Sequence, residues 1–125
     1  MEYLNKVLGI EVTYEDVEFK HLPNFIVTRY RLQMASMNGK KVIFLYPKTE
    51  LDQIAVLKKH IARIQKNENK PIVLVLNKLG FRQKEYLIRE RIPFIVEGKQ
   101  IYLPFMALYL QERCDAERKS REVIL

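Results

Sequence analysis

Two spacings of apolar residues alternate along this chain, and each change of spacing marks a change of element. Met1–Leu8 places Tyr3, Leu4, Val7 and Leu8 on one helical face, and Gly9 ends it. Ile10–Phe19 alternates apolar and polar residues, but its acid content makes it a weak strand candidate. Leu22-Pro23-Asn24 reads as a loop. Phe25–Met37 and Lys40–Tyr46 are rich in β-branched and aromatic residues and flank Asn38-Gly39. Asn-Gly suits the positive φ angles of a type I′ turn, so the segments predict a β-hairpin. Pro47 has no ladder donor and closes the second strand.

The spacing then changes to helical. Leu51, Ile54, Leu57, Ile61 and Ile64 recur at steps of three or four and predict a helix over 49–65. Thr49 is placed to cap its first amides, and Glu50 and Asp52 favour the positive end of its dipole. Pro71–Leu76 is a continuous apolar run between loop signals, the mark of a strand buried on both faces. Phe81–Arg91 predicts a short helix with Phe81, Leu87 and Ile88 as its apolar contacts. Ile92–Val96 and Gln100–Leu103 predict a second hairpin across Glu97-Gly98-Lys99. Phe105–Arg113 reads as a helix through Phe105, Leu108 and Tyr109. The expected fold is α/β with a mixed sheet, in the order β-β-α-β-α-β-β-α.

A chain of 125 residues has the length of one domain. Residues 1–113 are expected to form it. Beyond Glu112 the charges alternate densely and the apolar pattern fades. Residues 114–125 are therefore expected to be a charged linker leading to a C-terminal domain absent from this sequence.

Charge changes the picture through its placement. The net charge is +7. Residues 21–110 hold 16 Lys/Arg against six Asp/Glu, whereas residues 1–20 hold two against five. A basic body attracts nucleic acid or an acidic partner, although such cations also simply solvate helix faces. The single cysteine, Cys114, excludes an internal disulfide and a cysteine-pair zinc site. The N-terminus lacks the basic region of a signal peptide, and no apolar stretch has membrane-spanning length. A soluble cytoplasmic protein with no membrane association is expected.

Candidate chemistry is sparse. The only histidines are His21, in a loop, and His60, late on the long helix. Arg63 and Ile64 stand where a metal-ligating partner for His60 would be needed, so a structural or surface role is expected. Ser36 and Ser120 lie in no nucleophile motif. Arg113 and Asp115 oppose each other's effect on Cys114, which reads as a core or inert surface thiol. The glycines are scattered and form no phosphate-binding loop. No catalytic residue, metal ligand or cofactor site is expected.

A hairpin, a helix and a buried strand also occur in that order in restriction-endonuclease-like nucleases. Those proteins place an acid-x-Lys pair where the hairpin strand enters the helix, with the acid holding a metal. Tyr46-Pro47-Lys48 keeps the lysine and lacks the acid, so the order fits at most a degenerate, inactive version of that topology. The cations Arg29, Arg31, Arg82, Lys84, Arg89 and Lys99 remain as candidate nucleic-acid or partner contacts. On a strand over 25–37, Arg29 and Arg31 share one face and Tyr30 points to the other.

Several segments resemble a known family: HLPNF at 21–25, NGKKVIFLYPK at 38–48, LDQIAVLKKHI at 51–61, PIVLVLNKL at 71–79, YLIRERIPFIVEGKQIYLPF at 86–105 and LQER at 110–113. Together they resemble the N-terminal domain of MarR-like winged-helix transcriptional regulators of Gram-positive bacteria. The most specific part is Ile92–Val96 with Gln100, Tyr102, Leu103 and Pro104. The resemblance implies a non-catalytic regulatory domain that positions, dimerises or modulates a winged helix, which would follow Leu125 and contact DNA. It carries over no catalytic residue. Phe94–Tyr102 is a candidate docking surface, although plain core packing is the favoured reading of its side chains. Two other readings stand beside it, a stand-alone basic nucleic-acid-binding domain and a degenerate nuclease-like enzyme.

Overall fold

The computed structural model describes residues 2–49, 54–106, 108–111 and 122–123. They form a mixed α/β protein in two compact units, Met1–Ile72 and Val73–Leu125.

In the first unit, α1 (Glu2–Leu8) buries Leu4 and ends at Gly9, whose φ of 67° lies in the left-handed region. A three-stranded antiparallel meander follows: β1 (Val12–Glu15), β2 (Tyr30–Met37) and β3 (Lys40–Pro47). The turn between β2 and β3 has φ of 50° at Asn38 and 88° at Gly39, the two positive angles that its sequence predicts. Asn38 also anchors β1. Its N–H donates to Glu11 O at 3.0 Å, and its Oδ1 accepts from Glu11 N at 2.9 Å. Those two bonds draw the acidic segment into register with β2, so the weak candidate over 10–19 contains a strand.

The hairpin begins later than the sequence predicts. Residues Asn24–Arg29 form a short helix, α2, and β2 starts at Tyr30. The Pro23 carbonyl accepts from Ile26 N at 3.0 Å and Thr28 Oγ1 donates to Asn24 O at 2.9 Å. Proline thus starts a helical turn that outweighs the β preference of Phe25, Ile26 and Val27. Helix α3 (Ile54–Asn67) buries Leu57, Ile61 and Ile64, the stripe expected from spacing. Its expected start, with Glu50 and Asp52, lies outside the described residues.

In the second unit, β4 (Ile72–Leu76, of which Ile72 belongs to the first unit) is buried at every position. Helix α4 (Phe81–Arg89) crosses over to β5 (Phe94–Val96), which pairs parallel to β4 through Leu74↔Phe94 and Leu76↔Val96. Strand β6 (Gln100–Leu103) returns antiparallel across a turn in which Gly98 has φ of 77°.

The end of α4 explains why helix and strand are both shorter than expected. Arg91 takes φ of 56°, its N–H donates to Ile88 O at 3.1 Å, and Ile92 N–H donates to Leu87 O at 2.8 Å. This is a Schellman closure, with buried Ile92 and Leu87 as its apolar pair. Arginine stands where glycine is usual.

The expected final helix over 105–113 is replaced. Pro104–Met106 forms one 3₁₀ turn, and Leu108–Gln111 forms β7, paired antiparallel to β6 from Leu103↔Leu108 to Gln100↔Gln111. A short apolar run fits either period, and the open ladder of β6 decides for the strand. Of the charged stretch 114–125, only Glu122–Val123 is described, as strand β8 against β7. Cys114 and Ser120 lie outside the described residues. Among the described residues no helix is long and apolar enough to cross a membrane.

Candidate functional site

Alternation along β2 and β3 gives the meander two faces. Tyr30, Leu32 and Met34 lie on one, with Ile43 and Leu45 of β3; Arg31, Gln33 and Ala35 lie on the other, with Phe44 and Tyr46. The two faces carry different chemistry.

The first face holds a buried polar pair. Tyr30 Oη lies 2.6 Å from His60 Nδ1, and both residues are buried. Burial pushes the His60 imidazole below its ordinary pKa, and the Arg29 guanidinium lowers it further. Burial raises the Tyr30 phenol, against the opposing pull of Arg29. Both groups are thus held neutral near pH 7. With Tyr30 donating, the imidazole keeps its proton on Nε2. The Phe25 ring lies against His60 at 5.5 Å between centroids. The pair satisfies two polar groups that would otherwise be costly to bury. A signal for it exists in the sequence. His60 stands three residues after Leu57 and four before Ile64, on the buried stripe. Its partner, thirty positions away, is not visible from local spacing.

The second face ends in a partly open aromatic ladder. The Arg31 guanidinium sits 3.7 Å from the Tyr46 ring centroid. Tyr46 meets Phe44 edge-on at 6.3 Å, and Phe44 meets Tyr14 at 6.1 Å. Tyr46 Oη donates to Gln33 Oε1 at 3.3 Å. Arg31 is thereby held over an aromatic face, an arrangement that recognises planar or anionic groups.

Arg29 does not join it as the strand reading requires. It belongs to the last turn of α2, and Arg29 O accepts from Lys48 N at 2.9 Å. Lys48 Nζ donates to Val27 O at 3.3 Å. The lysine of the Tyr46-Pro47-Lys48 segment therefore ties β3 to the end of α2.

The other candidate cations lie in the second unit. Arg82, Glu85 and Arg89 are exposed at steps of three and four on one face of α4, beside half-buried Tyr86. Arg89 approaches the Tyr86 ring at 5.4 Å and Glu90 at 3.9 Å. Phe81, at the start of α4, is 71% exposed, more than any other large apolar side chain described. Its spacing with Leu87 and Ile88 predicts the interior instead. Lys84 is half-buried, and Lys99 lies exposed at the tip of the β5–β6 turn.

The candidate docking segment Phe94–Tyr102 is interior. Phe94, Ile95, Val96, Ile101 and Tyr102 are all buried, and only Glu97, Gly98 and Lys99 are exposed. The Phe94 and Tyr102 rings meet at 5.5 Å, and Tyr102 Oη donates to Ile88 O at 3.4 Å. Core packing accounts for these side chains. No family model, curated protein or solved structure matches the chain.

Proposed function

We propose that this chain is a non-catalytic interaction domain of a MarR-like transcriptional regulator, acting in the cytoplasm by positioning or modulating a winged helix that contacts DNA. The observation that carries this reading is the exposed face of α4. It sets Phe81, Arg82, Glu85 and Arg89 toward solvent, a mixture suited to recognition and poor in groups that move protons or bonds. The resemblance of residues 20–113 to that family supports it. The chain order β2-β3-α3-β4 supports a finer reading of the fold, as a degenerate restriction-endonuclease-like domain whose Tyr46-Pro47-Lys48 lacks the metal-holding acid.

The reading frame of the gene tests the proposal. Codons for a winged helix are expected beyond Leu125. A stop codon directly after Leu125 contradicts it and leaves a stand-alone binding domain.

A further inference from the structure

Strand β2 is unequally covered on its two edges. It pairs with β3 from Tyr30 to Met37, but with β1 only from Met34 to Met37. Past Glu15 the chain leaves the ladder, so the β1-side edge of Tyr30–Gln33 has no strand beside it among the described residues. An open cleft of about 400 Å³ fills the gap, walled by Tyr14–Val17 on one side and Arg31–Gln33 on the other. Tyr14 and Val17 on its rim are 45% and 43% exposed.

An uncovered edge offers alternating N–H and C=O groups, which an extended peptide satisfies by adding as a strand. The rim chooses the sign of its charge. Residues 11–18 hold Glu11, Glu15, Asp16 and Glu18 and no Lys or Arg, within a chain of net charge +7. Glu15 is met by Lys41 at 3.4 Å and Glu18 by Lys20 at 3.9 Å, while Asp16 has no ion-pair partner among the described residues. The one cation in the cleft wall, Arg31, lies over Tyr46. We propose that the β1-side edge of Tyr30–Gln33 docks an extended basic peptide segment as an added strand, its cations meeting Asp16 and its apolar side chains meeting Tyr14 and Val17. The proposal does not depend on the regulator reading.

The test uses the 125-residue chain and two blocked pentapeptides, one alternating lysine with valine and one alternating glutamate with valine. The lysine peptide is expected to slow amide exchange at Arg31–Gln33 and to bind about tenfold or more tighter than the glutamate peptide. Asp16→Lys alters an exposed side chain, leaves the fold intact and is expected to erase that preference. The proposal is overturned by unchanged exchange at Arg31–Gln33, by equal binding of the two peptides, or by a preference that survives Asp16→Lys. Sedimentation showing a dimer joined through this edge overturns it too, since a second copy would then be the occupant.

Discussion

The two units of this protein bury similar side chains but close their sheets by different means. The first uses a two-residue turn, a second bond pair from that turn to β1, and one buried Tyr–His link from sheet to helix. The second uses a parallel pair joined through α4, and its strands β4 and β5 are apolar at every position. Hairpins close locally, whereas a parallel pair must wait for its crossover helix to dock. The first unit therefore depends on local turn chemistry and one directional polar contact. The second depends on side-chain packing and on how α4 terminates.

The largest effects should be alike in both units, because both interiors are apolar. Phe44→Ala and Phe94→Ala each remove a fully buried ring, and each is expected to cost about 3–5 kcal/mol in urea unfolding. A much smaller loss at either position would break the equivalence.

The polar contact should separate the units. Tyr30→Phe leaves His60 Nδ1 buried without a partner and is expected to cost about 1–3 kcal/mol. Tyr102→Phe removes a long, 3.4 Å bond to Ile88 O and is expected to cost less than about 1 kcal/mol. Acid should separate them in the same direction. The folded chain holds His60 below its ordinary pKa, so the unfolded chain takes up a proton first as pH falls. Stability is unaffected above the ordinary histidine range, falls as pH drops through it, and stops responding below the lowered folded value. His60→Leu should flatten that decline when denaturation midpoints are compared at neutral and mildly acidic pH.

The smallest effects concern the two turns. Gly39→Ala forces a side chain into the left-handed region and is expected to cost about 1 kcal/mol. Arg91→Gly relieves that strain at the end of α4 and is expected to add about 0.5–1 kcal/mol. Opposite signs in thermal melts would sharpen the contrast between a turn already built from its preferred residue and one that is not.

The same contrast explains what could be read from the residues alone. Asn38-Gly39, the apolar run before Asn77 and the stripe Leu57, Ile61, Ile64 each carry their structural reason within a few positions. The elements that differed from expectation are decided elsewhere. Helix α2 replaces strand because the Pro23 carbonyl takes its first amides. Strand β7 replaces helix because β6 has an open ladder. The exposure of Phe81 depends on which face of α4 meets the interior, which spacing leaves open for a short helix. Among the candidate cations, Arg31 gains a defined setting only through Tyr46 on the neighbouring strand. Arg29 loses the face it was expected to share once α2 forms.

We propose that this domain acts by binding and leaves sequence-specific DNA contact to a winged helix. Fluorescence anisotropy of a labelled duplex titrated with the 125-residue chain, at low and physiological salt, tests it most directly. Weak binding that falls steeply with salt is expected, with Kd no tighter than about 10⁻⁶ M at physiological salt, and no preference among duplex sequences. Nanomolar, sequence-selective binding by this chain alone would contradict it.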